Sequence, residues 1–197
     1  FVAGADITEF VGKKSDDIRK MFAQNAVEAL WGISKPTIAM VDGFALGGGC
    51  EVACSCDIRV ASDRSRFGTP EINLGLIPGY GATQRLVNLV GYGKTMEMVM
   101  TGEMINSADA LKWGLVNHVV EAEQLYQFTI DIAKKIGAKS SHTLKVAKQT
   151  IRTALSIGLE EGVAIEAEAF ANLFDSEDKE IGVSAFIGRH PAKWQHK

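Results

Sequence analysis

Thr37-Ile38-Ala39-Met40-Val41-Asp42-Gly43-Phe44-Ala45-Leu46-Gly47-Gly48-Gly49-Cys50-Glu51 is the stretch on which the reading of the fold turns. Its first five residues are apolar and partly β-branched, and they are enclosed by Pro36 on one side and Asp42-Gly43 on the other, which predicts a short buried strand. The small residues from Cys50 to Cys56 predict a helix. Between strand and helix, the glycine triplet lets the backbone approach a ligand closely, and the first turn of the helix aims unpaired N–H groups and a positive dipole end at it. That geometry suits an oxyanion. It also suits a tightly packed strand-to-helix crossing, which is what a glycine triplet taken alone more often marks.

Upstream of this stretch, the spacing of Ile18, Met21, Phe22, Val27, Leu30 and Trp31 predicts an amphipathic helix within residues 7–33, closed near Gly32 and broken by Lys35-Pro36. Phe1-Val2-Ala3-Gly4-Ala5-Asp6 reads as the end of a strand entering a turn, so the chain is expected to be cut at its start. Downstream, residues 57–61 return as a strand, and residues 66–71 lead through a loop to Gly79. Helical patterns then follow at residues 82–89, 95–100 and 108–113, the last with Ser107 as N-cap, Asp109 in its first turn and Gly114 closing it. Residues 116–120 form the only expected late strand. Alternating strands and helices followed by helices alone predict an α/β core over residues 1–120 and a helical subdomain over residues 121–197.

With 197 residues, 46% hydrophobic and 23% charged, the chain has the composition of a soluble globular protein with a substantial core. Its 24 acidic and 21 basic residues give a net charge of −3 and no global attraction to nucleic acid or an anionic membrane, and Lys13-Lys14 and Lys134-Lys135 are too small to form a basic footprint. No apolar run reaches the roughly 18 residues that a membrane span requires, and no leader pattern opens the chain, so an intracellular enzyme is expected. Cys50, Cys54 and Cys56 crowd into one segment, which fits a reducing compartment better than a disulfide framework. His118, His142, His190 and His196 are scattered, so no metal site is expected. Two apparent phosphate loops fail on inspection. Residues 79–84 have Gln84 where a third glycine is needed, and Gly93-Lys94-Thr95 has Asn88 where a P-loop begins with glycine.

Two carboxylates stand against apolar or glycine-rich neighbours: Glu51, directly after the glycine loop, and Glu71, between Pro70 and Ile72. Such surroundings raise a carboxyl pKa and fit it to exchange protons near neutrality. Each alone is more often a surface or ion-paired acid. Together beside a glycine loop they form a candidate acid/base pair.

Several stretches together resemble the enoyl-CoA hydratase (crotonase) family. They are Ala3-Gly4-Ala5-Asp6-Ile7, Lys35-Pro36-Thr37-Ile38-Ala39, Gly43 through Glu51, Phe67-Gly68-Thr69-Pro70-Glu71, Gly75-Leu76-Ile77-Pro78-Gly79, Gln84-Arg85-Leu86 and Thr101-Gly102. The resemblance covers essentially the whole chain. It implies a crotonase-like ββα superhelix core with a C-terminal helical trimerisation subdomain, in a homotrimer or homohexamer. It implies an acyl-CoA substrate whose thioester carbonyl is polarised by the N–H groups of Ala5 and Gly48. Glu51 is matched to water activation, Glu71 to the α-proton and Gly79 to a backbone position near the water. It implies hydration of a trans-2-enoyl-CoA in fatty acid metabolism with no metal or redox cofactor, since coenzyme A is part of the substrate. The setting is a bacterial cytosol or a mitochondrial matrix. By the same resemblance, the chain is expected to lack the family's N-terminal segment, with the first strands and part of the CoA nucleotide site. The same fold also hosts isomerases, decarboxylases and RNA-binding relatives. Outside this set, Asp6 is read as a helix N-cap, Arg189 and Lys193 as a solvated tail, and Trp113 and Trp194 as packing residues.

Overall fold

The computed structural model describes residues 1–23 and 25–197. A 3-10 turn at Ile7–Phe10 leads into two short helices, α1 (Ser15–Phe22) and α2 (Ala26–Trp31), so the single helix expected within residues 7–33 is divided. Gly12, at φ 73°, turns the backbone ahead of α1, and the Asn25 side chain accepts from the N–H groups of Val27 and Glu28 to start α2 afresh. Gln24, which the expected helix includes, lies outside the described residues.

Strands β1 (Ile38–Val41) and β2 (Phe44–Leu46) come next, followed by α3 (Gly48–Ser55). The order then repeats as β3 (Ile58–Ser62), β4 (Arg66–Gly68), a 3-10 turn at Pro70–Leu74, and α4 (Ala82–Thr101), which bends at the non-helical Gly91. Each strand pairs in parallel with its counterpart one repeat later, Ile38 aligning with Ile58 and Phe44 with Arg66. Two parallel ladders linked by helices in this way are the successive turns of a ββα superhelix. β5 (Ile105–Asn106) pairs antiparallel with β4, α5 (Ser107–Lys112) follows, and β6 (His118–Val120) joins β3. The sheets thus run β1-β3-β6 and β2-β4-β5. The expected N-cap of α5 shifts by one residue: Asn106 accepts from the Asp109 N–H, while the Ser107 hydroxyl donates to the Asp63 carbonyl.

Parallel strands are covered on both faces and are correspondingly apolar. Val41, Val60 and Ala61 are fully buried, and Phe67, Leu86, Met98 and Leu115 pack the core around α3. Arg59 is buried there too, its guanidinium satisfied by the carbonyls of Leu115 at 2.6 Å and Cys56 at 2.7 Å.

The described residues form two units, Phe1–Ile33 with Thr37–Ile130, and Ser34–Pro36 with Asp131–Lys197. α6 (Leu125–Gly137) passes from the first into the second, which also holds α7 (Ser141–Thr153), α8 (Leu159–Asn172) and α9 (Glu177–Gly188). Among the described residues, no helix is long and apolar enough to cross a membrane. In the second unit the chain end is stapled back onto α7. Asp178 accepts from the Ser140 hydroxyl and from the N–H groups of Gln195 and His196, and His196 Nδ1 accepts from the Ser141 N–H. Burial raises the Asp178 pKa, but these donors outweigh it and hold the carboxyl below its ordinary value. A lowered carboxyl stabilises the fold above the unfolded-state pKa and ceases to do so as pH falls through the folded-state value. Asp178→Ala should therefore lower Tm at pH 7 by about 5 °C in a calorimetric scan, with a smaller deficit in acid.

Candidate active site

The three glycines before α3 have separate roles. Gly47 takes φ 52°, which an L side chain rarely adopts, and a Cβ there would stand 3.0 Å from Glu71 Oε1. A Cβ on Gly49 would stand 1.9 Å from the Val2 carbonyl oxygen, so this glycine permits the backbone crossing itself. Gly48 meets nothing within 4 Å. As the first residue of α3, its N–H has no carbonyl one turn earlier in the helix to bond. The close-packing meaning of the glycine triplet is thus realised at Gly49, while the space beside Gly48 is left open.

The segment carrying Ala5 is held against this loop. Val2 donates to Phe44 O at 2.9 Å and accepts from Leu46 N at 3.1 Å, and a Cβ on Gly4 would lie 3.5 Å from the Leu46 carbonyl oxygen. Among the described residues, neither the Ala5 nor the Gly48 N–H has a hydrogen-bond acceptor. Asp6 does not point into the site. Its Oδ1 accepts from the Thr8 N–H at 2.9 Å and hydroxyl at 2.6 Å, as an N-cap does.

Glu51 lies in the first turn of α3 and is 1% exposed. Its Oε1 accepts from Tyr80 N at 2.7 Å and Ala82 N at 3.1 Å. Burial raises its pKa. The two N–H groups pull the other way, and the Glu71 charge adds to the rise, so the net displacement is upward. Glu71 sits on the Pro70–Leu74 turn, and burial lifts its carboxyl as well. Glu71 Oε2 is buried and has no hydrogen-bond partner among the described residues. Gly79 directly precedes Tyr80 and faces Phe22, whose Cζ would be 3.1 Å from a Cβ at that position. The five residues singled out in the sequence therefore lie in the first unit, linked by short steps: Gly79 to Glu51 through Tyr80, Glu51 to Glu71 by charge, Glu71 to Gly47, and Ala5 through Gly4 to Leu46.

The donors that hold Glu51 leave no mark in the sequence, because Tyr80 and Ala82 act through backbone N–H groups. Arg85 appears there only as part of a matching motif. In the fold it donates through Nη1 to the Tyr80 carbonyl at 2.8 Å and through Nη2 to Glu28 Oε1 at 2.7 Å. Trp113 carries the Lys94 ammonium 4.1 Å from its ring centroid, and Trp194 donates to the Ala138 carbonyl.

A family model described as enoyl-CoA hydratase/isomerase matches residues 1–197. The chain is 43% identical over 189 residues to a short-chain-enoyl-CoA hydratase of Clostridium acetobutylicum, covering 95% of this chain and 72% of that one. It is 38% identical over 199 residues to a crotonyl-CoA hydratase of Syntrophomonas wolfei, covering 100% and 76%. Among solved structures, enoyl-CoA hydratase subunit I of Geobacillus kaustophilus superposes with a TM-score of 0.95 at 37% identity, over 100% of this chain and 77% of that one. A glycine loop beside two carboxyls of raised pKa, on a ββα superhelix shared with these proteins, places the chain in the enoyl-CoA hydratase/isomerase family, with the crotonase fold.

Proposed function

We propose that the chain is an enoyl-CoA hydratase that adds water across the 2,3 double bond of a trans-2-enoyl-CoA to give the 3-hydroxyacyl-CoA, with Glu51 and Glu71 as its acid/base pair. The observation that carries this reading is the pair itself: two carboxyls of raised pKa beside one glycine loop, one with a buried oxygen that has no hydrogen-bond partner among the described residues. Two relatives named short-chain-enoyl-CoA hydratase and crotonyl-CoA hydratase support the substrate class.

The N–H groups of Ala5 and Gly48 receive the thioester oxygen, where fixed donors stabilise the negative charge of an enolate-like transition state. Both hydrogen bonds to Glu51 fall on Oε1, which leaves Oε2 for a water. Glu51 takes a proton from that water as its oxygen bonds to C3. The C2–C3 π electrons move toward the carbonyl, and Glu71 delivers a proton to C2. One proton handed from Glu51 to Glu71 restores the pair. Gly79, which precedes the Tyr80 donor to Glu51, is matched by resemblance to a backbone position near that water. This addition transfers no electrons, so carboxyls and backbone donors suffice for it, and coenzyme A enters only as part of the substrate. The three buried cysteines, none of them in a disulfide, fit a reducing compartment such as a bacterial cytosol or a mitochondrial matrix.

We also propose that the C-terminal helices join copies of the chain in a trimer or hexamer of threefold symmetry. α8 buries none of its own residues, and Val163 is 54% and Phe170 64% exposed on it. Apolar exposure of this extent is typical of an interface.

Crotonyl-CoA should lose its enoyl-thioester absorbance in the presence of the protein and yield 3-hydroxybutyryl-CoA, a product that distinguishes hydration from a shift of the double bond out of conjugation. Glu51→Gln and Glu71→Gln should each lower kcat by about 100-fold or more with acyl-CoA binding largely retained. Near-native turnover in either variant would remove that glutamate from the mechanism.

The raised pKa of Glu71 also makes a stability statement. A carboxyl raised in the folded state favours folding below the unfolded-state pKa, and that contribution is lost as pH rises through the folded-state value. Glu71→Gln should therefore melt higher than the parent at neutral pH, the gain fading toward about pH 4. Light scattering at micromolar concentration should give a trimeric or hexameric mass, and a monomeric mass would refute the threefold assembly.

A further inference from the structure

We propose that Arg85 is a positioning residue for Glu51, fixing the Tyr80–Ala82 backbone so that two N–H groups converge on one carboxylate oxygen. Tyr80 is the hinge of this arrangement: its N–H donates to Glu51 Oε1 at 2.7 Å while its carbonyl accepts from Arg85 Nη1 at 2.8 Å. The guanidinium lies so close to Gly81 that a Cβ there would stand 2.2 Å from Nη1. Its other arm is held by Glu28 Oε1 at 2.7 Å, and its carbon sits 4.7 Å from the Trp31 ring centroid. The side chain is 13% exposed. Gripped on three sides, a planar fork holds its direction in a way a flexible ammonium cannot. Arg85 also reaches back into its own loop, its N–H donating to the Gly81 carbonyl at 2.9 Å in the opening turn of α4.

The same placement sets a charge near the catalytic carboxyl. Glu51 is faced by Glu71 from the Pro70–Leu74 turn, by Arg85 from α4, and by the thiols of Cys50 and Cys54 on its own helix. Arg85 is the cation of that set and favours the ionised form that accepts a proton from water. Geometry and charge thus act in one direction, and they can be separated by substitution.

Two variants and two readouts decide the matter, and only the kinetic one rests on the hydratase reading. In protein carrying carboxyl-13C glutamate, the Glu51 resonance is assigned by its loss in Glu51→Gln and titrated by NMR. In Arg85→Met its midpoint should move up, and an unmoved midpoint would overturn the charge contribution. Arg85→Lys keeps the charge and loses the fork, so its midpoint should stay near the parent value while kcat on crotonyl-CoA falls about tenfold and KM changes by less than about twofold. Full kcat in Arg85→Lys would overturn the positioning role, and this arm stands even if Arg85→Met does not fold. If the parent protein fails to hydrate crotonyl-CoA, the hydratase reading falls, and the carboxyl titration still decides whether Arg85 acts on Glu51.

Discussion

A carboxylate buried in the first turn of a helix must find donors or give up its charge, because an uncompensated ion in an apolar interior is far more costly than a neutral acid. Glu51 finds two donors, the N–H groups of Tyr80 and Ala82, and both come from a segment some thirty positions later in the chain. That bond ties α3 to the start of α4 across the core. It also explains why the intervening loop is rich in glycine. Gly79 and Gly81 have no side chains to keep Phe22 and the Arg85 guanidinium away from the backbone, so the loop can be pressed against Glu51 from outside. Burial and donation oppose each other at this carboxyl, and burial prevails. The net effect is a carboxyl that holds its proton to higher pH than a solvated glutamate does.

The glycine loop imposes a second constraint on the opposite side of the same helix. Gly49 has to lack a Cβ so that the Val2 carbonyl can come in, and Gly47 has to take a left-handed conformation so that Glu71 can come close. Gly48 between them is under neither pressure. That open position is compatible with the oxyanion role that family resemblance proposes for Gly48.

What could be read in advance follows from how local each signal is. β1, β3 and α3 announce themselves through short apolar runs and small-residue spacing bounded by Pro36, Asp42-Gly43 and the glycines. β5 has two residues and β4 three, too few for any period to show, and they form by pairing with distant partners, β4 in parallel with β2 and β5 antiparallel to β4. The amphipathic spacing before Gly32 was real, but it could not reveal that Gly12 and the Asn25 cap interrupt the helix, since both are legal within a longer pattern. Glu51 and Glu71 were visible as acids in apolar company. Their pairing, and the backbone donors that hold one of them, depend on contacts between residues far apart in sequence. Assignment of Ala5, Gly48 and Gly79 came from family resemblance, because a backbone N–H has no residue type to recognise.

The two carboxyls differ in how their burial is compensated, and that difference bears on which does what. Glu51 has half of its acceptor capacity satisfied by fixed backbone donors, so its orientation is set before any substrate arrives. Glu71 has a buried oxygen with no hydrogen-bond partner among the described residues, and burial is the main cause of its raised pKa. A group left in that state is a net cost to the folded chain whenever it is ionised, and the cost is relieved by a proton or by a polar ligand. The fixed, doubly hydrogen-bonded carboxylate is suited to hold and deprotonate a water, and the unsatisfied, more readily protonated one to deliver a proton to carbon. The proposed assignment of Glu51 to water and Glu71 to the α-carbon is consistent with this asymmetry: two backbone N–H groups converge on Glu51 Oε1, while Glu71 Oε2 has no hydrogen-bond partner among the described residues.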